Sequence, residues 1–193
     1  MFRVFLSSIV TVWLAFLTAV LVESHRPANL KGVAGLEPTN KPSEDLLDLI
    51  EQSVWHRSTP LVLSEAAVNR YLGTVLNGRQ AGPSYFFAQF DRVALDFQPG
   101  MCRLMLFWNT RGLRSTASID FTVTRDKQEF VIVPVGGSYG RLPILRGALA
   151  MLIPACRSLC NALESDIRAI SQMNEIRFEK QKVVLDPRFN AKR

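Results

Sequence analysis

The sequence predicts an α+β fold: a curved antiparallel meander sheet wrapped on a long C-terminal helix, with two short N-terminal helices and an N-terminal transmembrane helix. Residues 92–97 and 117–124 alternate apolar and polar side chains with the period of two that is typical of strands, and two further apolar strands lie between and after them up to residue 135. Residues 144–170 carry apolar side chains along one side with helical spacing. Since an apolar sheet face and an apolar helix each need a cover, we expect the helix to fill the concave side of the sheet.

The bulk composition of the 193-residue chain fits one domain with a real core and some extra segments. The formal net charge of +6 suits an anionic membrane surface or an anionic polymer, or serves solubility alone. The two histidines, His25 and His56, are little material for a metal centre or for acid–base chemistry at neutral pH. The sequence displays no convergent set of reactive groups, so we expect no enzyme, no cofactor and no nucleic acid partner.

The N-terminus carries an apolar segment. Residues 4–22 contain no charged side chain, and at about 1.5 Å per residue a helix of this length reaches roughly 28 Å, close to the hydrocarbon thickness of a bilayer. We therefore predict a transmembrane anchor over residues 1–22, with a cleaved signal peptide as the alternative. Residues 23–42 contain three prolines and two glycines and are interpreted as a linker. The domain of residues 43–186 is then expected outside the cytoplasm, followed by a basic tail over residues 187–193.

Two amphipathic helices are predicted at the start of the domain. In the first, Ser43 is the natural N-cap of a helix that ends near Trp55, and its leucine, isoleucine and valine side chains form one apolar stripe. The second covers residues 63–76, with Ser64 as its N-cap and the Asn-Gly pair that follows as its stop signal.

Four strands of a meander are predicted next, joined by turns such as Pro99-Gly100. The second strand is apolar on both faces, which indicates a central position or a helical cover, whereas the third alternates cleanly between apolar and polar side chains. Residues 176–185 are predicted to add one more strand or a hairpin. The four meander strands are residues 92–97, 101–109, 117–124 and 130–135.

The long helix is predicted over residues 144–170, with leucine and isoleucine side chains on one side and charged side chains on the other. Pro154 lies inside this range and removes one backbone hydrogen bond, so we expect a kink near Ala150. A kinked helix follows a curved sheet better than a straight one does.

The glycine-rich residues 136–140 lie between a strand and the predicted long helix, which is the setting of a phosphate-binding loop. They lack the Lys-Ser/Thr ending of a P-loop and the spacing of a dinucleotide fingerprint. Leu142 and Pro143 also separate the glycines from the helix start. We therefore interpret them as a turn with unusual backbone angles.

The three cysteines allow two interpretations. Cys156 and Cys160 are one helical turn apart and Cys102 lies on a predicted strand, with no histidine or carboxylate set nearby to complete a metal site. Outside the cytoplasm, Cys102 could form a disulfide with one of the other two. Packing as small buried apolar side chains is the default interpretation.

The apolar excess on both the sheet and the long helix predicts a cleft between them that binds a lipid or another apolar ligand. We expect Phe107, Trp108, Leu149 and Leu152 to line this cleft. The alternative is the same fold with a filled core, acting as an accessory protein-interaction subunit of a cell-envelope complex. Two arginines, Arg141 and Arg146, are expected at the mouth of the cleft.

Two stretches carry a family resemblance: Leu-Val-Leu-Ser-Glu-Ala-Ala-Val-Asn-Arg-Tyr-Leu at residues 61–72 and Val-Pro-Val-Gly-Gly-Ser-Tyr-Gly-Arg-Leu-Pro at residues 133–143. Behind an apolar N-terminus, this order resembles the YpmS-like small membrane-anchored bacterial proteins, which are related in outline to tubular lipid-binding domains. The resemblance implies a single-pass protein of the bacterial cytoplasmic (inner) membrane, held by residues 4–22, with its domain facing the periplasm or extracytoplasmic side. It also implies contact with a lipid or an envelope protein, and it carries no catalytic residues.

Overall fold

The structure of the protein is a computed structural model that describes residues 2–26, 30, 32–37, 45–79, 90–110, 113–127, 129–144, 149 and 152–188. The described residues form five helices and two antiparallel sheets, so the predicted α+β content is confirmed. The helices are α1 (Phe2–His25), α2 (Leu46–His56), α3 (Glu65–Arg79), α4 (Ile153–Ala162) and α5 (Glu164–Ser171).

The larger sheet has five antiparallel strands that follow one another in chain order, as predicted for a meander. The Pro99-Gly100 turn is present, with Gly100 at a φ of +78°, a backbone conformation that glycine adopts without steric cost. We call the face that carries Leu95, Leu104 and Phe121 the inner face. The strands are β2 (Phe90–Gln98), β3 (Met101–Thr110), β4 (Leu113–Asp126), β5 (Glu129–Tyr139) and β6 (Leu142–Pro143).

A second sheet has three strands, in the order β1-β8-β7. The predicted C-terminal hairpin is confirmed as β7 (Glu175–Glu179) and β8 (Lys182–Asp186). The sequence did not predict β1 (Leu61–Ser64), which pairs with β8 and places Leu63 opposite Val183. The four residues of β1 directly precede α3, so the apolar run merges with the helical pattern that follows it.

The prediction of one long C-terminal helix over residues 144–170 is wrong. Residue 144 is not helical, and α4 and α5 are short helices separated at Leu163, whose ψ of 24° departs from helical geometry. Pro154 occupies the first turn of α4, where proline is tolerated because the N–H that it lacks would have no helical partner there. The proline therefore marks a helix start and not a kink. Ala150, where the kink was expected, lies outside the described residues.

The prediction of an N-terminal transmembrane helix is also corrected. Residues 4–22 belong to α1, but in the described part of the chain no helix is both long and apolar enough to cross a membrane. The polar residues Glu23, Ser24 and His25 form the last turn of α1.

The end of α1 lies against the turn between β5 and β6. The backbone N–H of Arg141 donates to the carbonyl oxygen of Glu23 at 3.1 Å. Gly140, at a φ of +59°, approaches so closely that a Cβ there would collide with the carbonyl oxygens of Ser24 and Arg26. The first residues of the predicted linker are thus held against the domain.

The main core lies where α2, α5 and the smaller sheet meet the inner face of the larger sheet. Leu46 and Ile50 enter it from α2, as the apolar stripe predicts, and Asp45 caps that helix by accepting a hydrogen bond from the Leu47 N–H at 3.1 Å. The predicted cap, Ser43, lies outside the described residues. Ser64 precedes α3 as predicted, and its Oγ accepts from the Ala67 N–H at 3.3 Å.

Candidate functional site

The main feature of the interior is a cavity of about 690 Å³ between the inner face of the larger sheet and the layer that faces it. Side chains from both sheets and from α2, α3, α4 and α5 line this cavity, and most of them are apolar. Because regular elements supply almost all of the lining, the cavity is part of the architecture and not a gap beneath a loop.

Strand periodicity explains which sheet residues line the cavity. Successive side chains on a strand point to opposite faces, so Phe121 and Val123 of β4 line it while Thr124 is exposed. On β5 the apolar lining residues are Phe130 and Ile132, and Val123 pairs directly with Ile132. The alternation that predicts the strands therefore also selects the lining.

One end of the cavity is closed by aromatic side chains. Phe178 of β7 stacks on Phe97 of β2 with ring centroids 5.7 Å apart, and it meets Phe121 of β4 edge to face at 6.1 Å. These are favoured aromatic geometries. Phe178 thereby joins the smaller sheet to the larger one.

The mouth of the cavity lies between β5 and α5. Ile132 on β5 is 62% exposed and Ile167 on α5 is 45% exposed, although both line the cavity. Glu129 and Ser171 are further exposed lining residues on the same two elements. In the described pairing, β6 covers β5 only at Ser138 and Tyr139, so the edge of β5 beside the mouth faces outwards.

A buried polar pair interrupts the apolar lining. The Tyr71 hydroxyl of α3 donates a hydrogen bond to Oδ1 of Asp166 on α5 at 2.6 Å, and the Ser165 hydroxyl donates to Oδ2 at 3.3 Å. Burying a carboxylate is costly unless it is hydrogen-bonded. The pair therefore ties α3 to α5 and gives the cavity a polar spot.

Cys102 lines the cavity as a neutral thiol. Burial raises the pKa of the Cys102 thiol well above its ordinary value, and the carboxylates of Asp96, Glu65 and Asp120 raise it further. A nucleophilic cysteine needs the opposite environment, one that favours the thiolate. Cys102 is thus part of the apolar wall.

The outer edge of β2 is covered by two side chains of α3. Glu65 is 0% exposed, and its carboxylate accepts from the N–H groups of Ala34 and Phe97, both at 2.7 Å. One helical turn later, Asn69 accepts from the Leu95 N–H at 2.7 Å and donates to the carbonyl oxygens of Leu95 and Ala34 at 2.9 and 2.8 Å. We call Glu65 and Asn69 the edge clamp.

The edge clamp explains the Ser-Glu and Asn positions of the sequence motif at residues 61–72. These residues satisfy backbone groups of an edge strand that would otherwise be open to pairing with another chain. They also hold Ala34 of the predicted linker against the domain. Glu65 and Asn69 therefore stabilise the fold, whereas Tyr71 of the same motif contributes its hydroxyl to the cavity lining.

The residues predicted to line a cleft form a different site. Trp108, Leu149 and Leu152 do come together, in a buried cluster with Ala117 where Trp108 contacts Tyr139 at a ring separation of 5.9 Å. Phe107 lies on the opposite face of β3 from Trp108 because neighbouring strand residues alternate. The cavity described above is lined by none of these four residues.

Of the two arginines predicted at the mouth, Arg141 is not among the residues that line the cavity. Arg141 is exposed on the turn after Gly140, where its backbone meets α1. Arg146 lies outside the described residues.

The three cysteines are free thiols. Cys102 is buried in the main core, Cys156 packs against the Leu149 cluster and Cys160 is exposed. In the described part of the chain, no three His, Cys, Asp or Glu side chains lie close enough together to hold a metal ion.

The glycine-rich stretch is mostly strand and not a turn. Gly136 to Tyr139 continue β5 and pair with β4, and the positive φ falls at Gly140 alone within this stretch. A Cβ at Gly137 would collide with the carbonyl oxygen of Ser118 and the Leu149 side chain. These glycines therefore permit close packing, and they do not open a helix N-terminus as a phosphate loop would.

One sequence signal could have located part of the lining: the apolar positions of the third predicted strand, including Val123, share one face because they alternate with polar positions. The missing information was the cover, because β1 of the smaller sheet is distant in sequence from β7 and β8. Compared with models of known protein families and with curated proteins, the chain matches none, and the YpmS-like resemblance stays a prediction.

Proposed function

We propose that this protein binds a lipid or another apolar ligand in the cavity between its two sheets, without performing chemistry on it. The observation that carries the proposal is the volume of about 690 Å³ together with its apolar lining. Ligand sites typically measure about 300–1,000 Å³ and combine an apolar lining with a few polar groups. Tyr71 and Asp166 are such groups here.

The energetics favour an apolar occupant. Removing apolar surface from water is worth roughly 25 cal/mol per Å², and both the ligand and the lining would lose exposed surface on binding. Ile132 and Ile167, the exposed apolar residues at the mouth, would be covered in the same step. A polar occupant would leave most of this lining without a matching partner.

The second candidate function is protein interaction, as an accessory subunit of an envelope complex. Val131, Ile132 and Val133 are consecutive exposed apolar residues on the outward edge of β5. Exposed apolar strand edges are sites where another chain adds a strand. This surface adjoins the cavity mouth. Under both functions, the absence of catalysis and a location outside the cytoplasm remain predictions.

Lipid binding is tested by extraction and by one pair of variants. The full-length protein is purified, extracted with organic solvent and examined by mass spectrometry for co-purified apolar molecules. Val123→Trp places a large ring in the cavity beside the mouth, and we expect it to reduce the recovered ligand at least about tenfold, since overfilled sites tolerate little extra volume. Thr124→Trp is the matched control because Thr124 is the exposed neighbour on the same strand.

The outcomes separate the two candidate functions. Recovery of an apolar molecule from the wild-type protein and from Thr124→Trp, but not from Val123→Trp, supports the cavity as the site. Equal recovery from both variants contradicts it. If no apolar molecule is recovered and a defined protein co-purifies in a manner that Ile132→Asp abolishes, the interaction function is supported instead.

A further inference from the structure

The charges around the cavity restrict the kind of ligand that it can take. Among the described residues that line it, the charged side chains are acidic, Asp166 and Glu129, and none is lysine, arginine or histidine. Sites that bind carboxylates or phosphates supply cations or clusters of donors. The described lining of this cavity instead supplies carboxylates.

The buried groups of the cavity point in the same direction. The Tyr71 hydroxyl donates its proton to Asp166, so this pair contributes hydrogen-bond acceptors to the lining, and acceptors repel a ligand carboxylate. Burial and the carboxylates of Asp96, Glu65 and Asp120 all raise the pKa of the Cys102 thiol, which therefore stays neutral.

Arg125, a cation near the mouth, donates hydrogen bonds to residues that do not line the cavity. Arg125 lies over the Phe130 ring at 5.5 Å but is not a lining residue. Its guanidinium donates to the carbonyl oxygen of Met173 at 3.0 Å and to the side-chain oxygen of Asn174 at 3.1 Å. It therefore ties β4 to the segment after α5. The described charged residue that lines the mouth is Glu129, which is exposed.

Building on the proposed function, we propose that the part of the ligand inside the cavity is uncharged: an alkyl-type chain that carries a hydroxyl or no polar group, and neither a carboxylate nor a phosphate. This chemistry has two sources. The ligand is either a whole neutral lipid or the acyl chain of a phospholipid whose head group stays outside the mouth.

The test compares probes of one chain length on the full-length protein. Dodecanol, dodecanoate and dodecylphosphocholine compete against the neutral fluorophore N-phenylnaphthylamine at about pH 8, where dodecanoate is ionised. Binding in the cavity is measured as the part of the fluorescence signal that is lost in Val123→Trp and retained in Thr124→Trp. We expect dodecanoate to bind at least about tenfold more weakly than dodecanol, because burying an unpaired carboxylate is costly.

Each outcome has one meaning. Dodecanoate binding as tightly as dodecanol overturns this inference and leaves the proposed function standing. Absence of cavity-dependent binding for every probe overturns the proposed function and this inference with it. If dodecanol binds and dodecanoate does not, dodecylphosphocholine distinguishes the sources: equal affinity indicates a chain with its head group outside, and weaker affinity indicates a whole neutral lipid.

A charge reversal at the mouth gives an independent readout. Glu129→Lys replaces the exposed carboxylate with a cation, and we expect it to strengthen dodecanoate binding about two- to fivefold, the range of an exposed ion pair, without changing dodecanol binding. Glu51→Lys makes the same charge reversal at an exposed carboxylate of α2 that does not line the cavity, and it should change neither. A Glu129→Lys protein that binds both probes as the wild type does would contradict the role of the acidic mouth.

Discussion

The backbone N–H of Phe97 donates to the carboxylate of Glu65 at 2.7 Å, although the two residues are 32 positions apart. The carbonyl oxygen of the same Phe97 accepts from the N–H of Gln181, and the carbonyl oxygen of Gln181 accepts from the N–H of Glu65. Three separate segments therefore meet at one position of an edge strand. This closed set of bonds fixes α3, β2 and the β7–β8 turn relative to one another.

Replacing Glu65 by Gln should destabilise the protein by about 1–3 kcal/mol, the usual cost of leaving a buried donor unsatisfied. Both carboxylate oxygens of Glu65 accept from backbone N–H groups, and the amide nitrogen of Gln cannot accept. Urea unfolding measures the change. Glu51→Gln, at an exposed position on α2, is the matched control and should lie within about 0.5 kcal/mol of wild type. If the two variants have equal stability, the edge clamp does not stabilise the fold.

Replacing Gly140 by Ala should separate the end of α1 from the domain. The new Cβ would collide with the Ser24 carbonyl oxygen, and a non-glycine residue at positive φ costs about 1–3 kcal/mol. We expect the protease Glu-C to cleave after Glu23, whose carbonyl oxygen accepts from the Arg141 N–H, faster than in the wild-type protein. Gly100→Ala is the control because its φ is also positive, +78°, but no atom lies within 4 Å of the added Cβ. Similar acceleration in both variants would show that backbone strain alone, without the contact to α1, explains the result.

The three thiols should react with a disulfide reagent in the order Cys160, Cys156, Cys102. Cys160 is exposed, Cys156 is half-buried with its pKa raised by burial, and Cys102 is buried with its pKa raised by burial and by nearby carboxylates. Only thiolates attack such reagents. Mass spectrometry of labelled peptides over time gives the order, and labelling of Cys102 as early as Cys160 would contradict the structure.

The raised pKa of the Cys102 thiol also makes the stability of the fold depend on pH. Because its pKa is raised in the folded state, the unfolded chain loses this proton first as pH rises above about 8.5, the ordinary thiol pKa. The free energy of unfolding should therefore fall with increasing pH in that range. Cys102→Ala should reduce the slope, and a slope equal to that of the wild-type protein would contradict the raised pKa of this thiol.

The sequence predicted those parts of the fold that depend on local periodicity. The stripe containing Leu46 and Ile50 lies in the core as expected, and the alternation around Val123 assigned the strand faces correctly. These predictions succeed because side chains repeat on a helix and on a strand with different periods. Pairing between consecutive strands then follows from the short turns that join them.

The wrong predictions concern features that periodicity does not encode. Pro154 occurs equally well at a helix start and at a kink, so the apolar pattern around it could not distinguish two short helices from one long helix. The lining of the cavity depends on Phe178 and the smaller sheet, in which β1 meets β8 only through long-range pairing. The sequence places Glu65 directly after the predicted cap Ser64, but its contact with Phe97 requires knowing where β2 lies.

The pairing of β1 with β8 has a consequence for how the protein is made. Leu61 lies opposite Leu185, so the sheet that covers the cavity joins an early segment of the chain to a late one. Contacts between distant segments form slowly because the intervening chain must first be closed into a loop. A ribosome-bound chain that ends before β8 would expose the apolar inner face of the larger sheet to solvent. During synthesis, this surface would be a target for chaperones and a site of aggregation until β8 has left the ribosome.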